Sequence, residues 1–341
     1  KWNYEGLESK PRWPVISILV LPLDQTPGRL ANDLHPDNDS LGSSRVFEAV
    51  PALIRKPILE GGIVSSAAGA IYSYYVQSET SKDCAGFPEI VKPTTFNFTN
   101  ATRHLELFNV KHFIARWPGT KQALAQSPDW KKLGEVQGWE LYELTTHDGR
   151  HVFIPRHEPL AVRTNDFKLA GLEWIYTIQA LDRPFVLLGP EEPAEPAWGK
   201  VLSADEYMSC LSSLKKGEEP PVVFRPIEQK KGMITEEEVS DGRIRFKTSG
   251  IGLPHIVKCS YFPNWKVKGA RRVHMVTPDF MLVYPEQREV ELYYGYTLPY
   301  NVGRALSALG LVAFIALAGM TWRRRWTARR GLRGVGVPTS P

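Results

Sequence analysis

Residues 306–330 read LSALGLVAFIALAGMTWRRRWTARR, an apolar run that ends in a burst of arginine. The uncharged stretch extends from Ala305 to Trp322, 18 residues. As a helix rising about 1.5 Å per residue it covers roughly 27 Å, close to the ~30 Å hydrocarbon layer of a bilayer. A core helix of a soluble protein normally carries a polar stripe, whereas here the polar side chains are Ser307 and Thr321. A membrane span over residues 302–322 is therefore expected, with Ala305, Leu309, Phe314 and Trp322 as anchor positions. Arg323, Arg324 and Arg325 follow at once and Arg329, Arg330 and Arg333 stand behind them, while Arg304 alone sits just before the run. By the positive-inside bias, the tail 323–341 is expected in the cytoplasm and residues 1–300 outside it. Beside a span, the arginine cluster reads as an anchor to membrane lipid rather than a nucleic-acid site.

Working outward, the remaining chain has the composition of a folded, water-exposed protein. It has 341 residues, 43% of them hydrophobic, enough for two or so domains with real cores. The net charge of +5 resides in the tail: without its six arginines the rest carries about −1, which leaves no basic character to suggest nucleic acid. Cys84, Cys210 and Cys259 are too few, and odd in number, for a disulfide framework; one pair could form in an oxidising exterior, and spacing does not select it. VISILVLPL near the N-terminus is too short for a span and contains proline, so export of an exterior domain is expected to rely on earlier spans of a longer polytopic protein.

Periodicity predicts an α+β chain: an exterior α/β layer over 1–235, a small antiparallel β-sandwich over 236–300, then one transmembrane helix. WPVISILVLPL (13–23) is read as a strand, and Pro51 as a break in the helical SSRVFEAVPALI. NATRHLELFNVKHFIARWPG predicts a helix passing directly into the strand VKHFIA, and TKQALAQS with GWELYELTT repeats that order. LEWIYTIQAL and PFVLLG are read as strands. SADEYMSCLSSLKKG is the clearest helix, with Ser203 and Glu206 at capping-box spacing and Gly217 at the stop. Beyond Glu236 the segments RIRFKT, HIVKCSYF, WKVKG, FMLVYP and VELYYGYT alternate with turns at short intervals, as in a sandwich.

Signatures of chemistry are sparse. GxSxG, P-loop and GxGxxG elements are absent from the sequence. His147, His151 and His157 are close, but HDGRHVFIPRH has a glycine turn and strand residues where a zinc-binding helix is needed. DLHPDNDS begins like a calcium loop and lacks the later glutamate. Asn38, Asn97 and Asn100 open N-x-S/T sequons, which fit an exterior surface. In YFPNWKVKG, Tyr261, Asn264 and Trp265 would suit a sugar ring, the aromatics stacking and the amide bonding hydroxyls; the structural alternative puts Trp265 in a core and Pro-Asn in a hairpin. Arg45 is a candidate phosphate contact and Glu60 a candidate for sugar hydroxyls, with a loop ion pair as the alternative.

Several of these segments together resemble a family. SYFPNWKVKGARRVHMVTPDFMLVYPEQREVELYYGYT before a span is similar to the C-terminal β-domain and last helix of polytopic glycosyltransferase-C-type membrane proteins. These include YfhO-like proteins and those with a 6-pyruvoyl-tetrahydropterin-synthase-related region. LELFNVKHFIA with GWELYEL resembles their exterior α/β layer, and RVFEAVPALIRKPILEGG the loop preceding it. The resemblance implies a multi-pass protein that transfers sugar from a polyprenyl-phosphate donor. Its catalytic carboxylate, and a divalent metal if one is used, would belong to membrane parts outside this chain, and the present region would shape the acceptor site. No cofactor is expected within residues 1–341, and pterin chemistry is rejected because the three-histidine zinc centre it needs has no counterpart here. A non-catalytic glycan-binding or cell-envelope assembly module is the alternative; a hydrolase would need an acid pair that sequence distance hides.

Overall fold

The computed structural model describes residues 6–59, 69–82, 90–92, 94–195, 198–228 and 232–333, with side chains as far as 323. Glu60 and Cys84 lie outside the described residues. The chain divides into two units, Lys1–Tyr293 and Tyr294–Pro341.

Trp13–Leu23 is helical (α1), not a strand. Val15, Ile16, Leu19, Val20 and Leu23 are buried while Ile18 is 57% exposed, a spacing that only a helix turns to one side. A short, β-branched apolar run fits both periodicities, and burial on one face decides between them. Pro14 stands in the first turn, where its missing N–H costs nothing. The buried face packs with Leu30, Phe47, Val50, Ile114, Trp139 and Leu141.

This helix lies on a cluster shared with a four-stranded sheet. The parallel pair β1 (Arg29–Asn32) and β2 (Val110–Ala115) is continued by antiparallel β4 (Trp139–Leu144) and β3 (Trp130–Val136), in the order β1-β2-β4-β3. Pro51 does not break its helix; it sits in the opening turn of the short α2 (Val50–Leu53). Helices α3 (Ala70–Thr80), α4 (Phe98–Leu107) and α5 (Pro118–Gln126) follow. As expected, α4 runs straight into β2, the turn being made by Asn109 at φ 63°, a left-handed conformation that asparagine tolerates. The β3–β4 hairpin closes through Gln137 and Gly138, both at positive φ, the two-residue turn whose twist matches the strands. β3 itself escaped the sequence because its charged WKKLGEV pattern belongs to a solvent-facing edge strand.

A seven-stranded mixed sheet forms the centre of the first unit. Its order is β5 (Val152–Phe153), β11 (His255–Ser260), β14 (Phe280–Val283), β13 (His274–Val276), β7 (Phe185–Leu188), β6 (Leu160–Arg163), β8 (Val201–Leu202). Because β6 and β7 are parallel, the chain must cross back between them, and LEWIY does so as part of the helix α6 (Phe167–Ile175) rather than as a strand. Asp166 starts that helix by accepting a bond from the Leu169 N–H at 3.0 Å. Helix α7 (Ala204–Lys216) has the expected capping box, Ser203 Oγ accepting from Glu206 N and Glu206 Oε2 from Ser203 N, and ends at Gly217 with φ 74°.

The remaining four strands make an antiparallel sheet in the order β12 (Trp265–Lys268), β15 (Glu289–Tyr294), β10 (Arg243–Thr248), β9 (Ile234–Ser240). Ile244, Phe246, Val290 and Leu292 point to an apolar cluster that they share with Val152, Val257, Met281 and Val283 of the seven-stranded sheet. The opposite face is a charge lattice in which Arg243, Arg245 and Lys247 meet Glu291, Glu238 and Glu236. Strands from both sides of residue 236 thus share one sheet, inside the first unit.

In the second unit α8 runs from Leu298 to Arg333. Its segment Leu298–Arg323 has 26 residues and a mean hydropathy of 1.9, long and apolar enough to cross a membrane. Leu309, Phe314 and Trp322 are 67%, 69% and 73% exposed, and Ala305 and Arg323 are exposed too; the Arg324 and Arg325 backbones continue the helix.

Candidate functional site

A cleft of about 480 Å³ opens in the first unit, in the range of small-molecule sites. One wall is α4, where Arg103, Glu106 and Leu107 share a helical face at i, i+3 and i+4. Facing it are the residues around β5, from His147 to Arg156, and the floor includes Trp174, Ile256, Lys258 and Phe280. These positions are far apart in the chain and meet because α4 packs on β2 of the four-stranded sheet while β5 and β11 belong to the seven-stranded one.

The wall at β5 is held by a half-buried carboxylate. Glu237 of β9 accepts from the backbone N–H groups of His151 and Val152, each at 2.8 Å, and lies 3.2 Å from His151 Nδ1. Burial alone would raise Glu237, but those hydrogen bonds outweigh it and hold its carboxyl below the usual range. Arg29 ties the two sheets at the back, its guanidinium donating to Phe108 O at 2.7 Å and Lys258 O at 2.8 Å. Lys111 does the same for the β4–β5 connection, donating to Leu144 O and His147 O, both at 2.7 Å.

The charged lining of the cleft is mixed, with Arg103, Arg150, Arg156 and Lys258 set against Glu106, Asp148 and Asp182. Lys258 is buried, donates to Glu106 O at 2.9 Å and lies 5.2 Å from the centre of the Phe153 ring. Burial brings its ammonium down to about 8, against the pull of Glu106 and Asp148. His147 is driven down to about 3 by burial and by Lys258, so it is neutral, and its Nε2–H donates to Asn109 Oδ1 at 2.6 Å. Two carboxylates of the cleft are engaged: Asp148 with Arg150 at 3.5 Å and Asp182 with Arg183 at 2.9 Å. Arg103 and Arg156 are exposed in the lining, and among the described residues neither has an ion pair or side-chain hydrogen bond. Two open guanidiniums and a buried ammonium, with the Glu106 carboxylate beside them and Trp174, Phe153 and Phe280 in the lining, suit an anionic group attached to an apolar or ring-shaped body.

The residues singled out from sequence lie elsewhere. Arg45 pairs with Glu48 at 2.5 Å, which is the ion-pair alternative. Tyr261 is partly buried, its N–H donating to Asp279 O at 2.6 Å, and burial raises its hydroxyl. Trp265 is half-buried against the shared apolar cluster, and its N–H closes the turn onto Phe262 O at 3.0 Å. Asn264 lies in that turn, and Phe262 is 50% exposed. None of Arg45, Tyr261, Asn264 and Trp265 lines the cleft.

Other expectations also meet definite surroundings. Asn38 is fully buried, with Oδ1 accepting from Trp139 Nε1 at 3.1 Å, so the first sequon is not a surface acceptor. Asn97 caps α4 by accepting from Asn100 N. His151 faces Glu237 and His157 faces Asp182, and among the described residues no group of three His, Cys, Asp or Glu side chains is placed to hold a metal. Cys210 and Cys259 are free thiols.

Sequence reasoning missed Arg103, Arg156 and Lys258. The only local signal was that HDGRHVFIPRH, tested for metal, is rich in cations as well as histidine. Comparison with known proteins adds no identity to this geometry: no family model, no curated protein and no solved structure matches the chain.

Proposed function

We propose that this chain is the extracytoplasmic, membrane-anchored part of a glycosyltransferase-like membrane protein, and that its cleft receives the anionic portion of a glycan or polyprenyl-phosphate-linked sugar. The observation that carries the ligand class is the pair Arg103 and Arg156, open guanidiniums beside the buried Lys258. The apolar helix Leu298–Arg323 supports a membrane location, and the arginines behind it support a cytoplasmic tail. The two sheets that share one apolar cluster support a sandwich-like arrangement of the last third of the ectodomain. Catalytic groups, further spans and any divalent metal would reside in other parts of the same protein, as the glycosyltransferase-C resemblance implies.

A non-catalytic glycan-binding module is the second reading, favoured by one observation. Asp148 and Asp182 are ion-paired, which leaves Glu106 as a single carboxylate beside the open guanidiniums rather than an acid pair. Titration of the detergent-solubilised chain with a uronic-acid oligosaccharide, its neutral counterpart and a short-chain polyprenyl phosphate tests the ligand class. Binding of an anionic probe, lost on Arg103→Ala/Arg156→Ala, is expected; equal binding of the neutral oligosaccharide would sink it. Upstream coding sequence with several spans and an acidic exterior loop separates the transferase from the module.

A further inference from the structure

At the start of the second unit the sequence YYGYTLPYNVGR (293–304) places three aromatic or cationic side chains in register. The Tyr296 and Tyr300 rings are stacked, with centroids 4.4 Å apart and planes within 4°. Arg304 lies over both, its guanidinium carbon 5.1 Å from the Tyr296 centroid and 6.0 Å from that of Tyr300. Along α8, Tyr300 and Arg304 are i and i+4 and so share a face.

This guanidinium has a ring stack and lacks an anion. A guanidinium beside aromatic rings at 5–6 Å is attracted by their π-systems without its N–H donors, five in all, being consumed by an acceptor. No aspartate or glutamate follows Glu291 in the sequence, and among the described residues Arg304 has no ion pair. Ala305 opens the uncharged run immediately afterwards, so the stack sits where a span of this length meets the headgroup layer. The anion available at that depth is phosphate, and guanidinium is the side chain that binds it in a forked geometry.

We infer that Tyr296, Tyr300 and Arg304 form a clamp for the phosphate of an anionic membrane lipid at the N-terminal end of the span. The tyrosines hold the guanidinium against the rings, reducing the side-chain freedom lost on binding, and the lipid supplies the acceptor oxygens. The clamp is independent of the ligand of the cleft.

The test uses the full chain with its six tail arginines replaced by glutamine, so that tail contacts do not mask the site. It is extracted from vesicles of mixed phosphatidylglycerol and phosphatidylcholine, and retained lipid is counted by native mass spectrometry. Enrichment of phosphatidylglycerol is expected, falling about fivefold in Arg304→Gln, the effect of one basic side chain at an anionic surface. Tyr296→Leu/Tyr300→Leu should lower it as well, and Arg304→Lys should recover only part, because an ammonium has no fork. Helix content by circular dichroism keeps the comparison to folded protein. Enrichment unchanged in Arg304→Gln would overturn the inference. So would displacement by inorganic phosphate at matched ionic strength, which would assign the clamp to a soluble anion.

Discussion

Two sets of cations in the first unit are chemically alike and structurally opposite. Arg29, Lys56 and Lys111, none of which lines the cleft, are saturated by the protein: Lys56, which burial brings down to about 7, donates to Thr26 Oγ1 at 3.0 Å and Pro27 O at 2.7 Å and sits 2.9 Å from His112 Nδ1. In the cleft, Arg103 and Arg156 are open. A buried cation must be satisfied internally or it costs several kcal/mol, so the first set reports architecture. An exposed cation in a concave site keeps its donors available, so the second set is where the proposed ligand would be held. The distinction lies in the partners, not in residue type.

That contrast breaks most readily at Lys111. Removing its ammonium leaves Leu144 O and His147 O buried without a donor, and Lys111→Ala should lower stability by about 3 kcal/mol in denaturant unfolding. If the loss were under about 0.5 kcal/mol, as for an ordinary surface change, the saturated set would not be architectural.

Glu237 carries the same contrast into the pH dependence of stability. Its carboxyl is held low in the folded state, so its contribution is present above the unfolded carboxylate range and is lost as pH falls through the folded value. Glu237→Ala should cost about 2 kcal/mol at neutral pH, since it unpairs the His151 and Val152 amides. Glu237→Gln should flatten the acid limb of stability against pH; a limb as steep as in the parent would refute this assignment.

The open set should behave the other way round. Arg103→Ala or Arg156→Ala is expected to weaken an anionic probe about tenfold each, with thermal stability unchanged. A fall in Tm without a change in Kd would move these residues into the first set. The smallest effect belongs to Lys258, whose ammonium titrates near 8 in the free protein. It is protonated below that value, so affinity should decline a few-fold as pH rises through about 8, and Lys258→Met should remove the decline.

Legibility in the sequence followed locality. Helix α7 was readable because Ser203, Glu206 and Gly217 act within one turn of its ends, and β2 because VKHFIA is buried along its whole length. Residues 13–23 and 172–181 read as strands in the sequence and are not strands in the fold, since an apolar run is ambiguous until its neighbours bury one face or two. β6 and β7 being parallel required a helix between them, a fact about pairing that no window of LEWIYTIQAL contains.

By itself, then, the sequence determined the apolar C-terminal helix, its arginine flank, the α+β class and most strands of the last third, because these depend on composition and short-range period. The tertiary structure alone decided that β11, β13 and β14 share a sheet with β5 to β8. It also decided that Arg103, Arg156 and Lys258 face one cleft, while Arg45, Tyr261, Asn264 and Trp265 do not. The reason is physical: a binding site is a juxtaposition of distant residues produced by strand pairing, and whether a charged side chain is saturated or open depends on which carbonyls and carboxylates the fold brings to it.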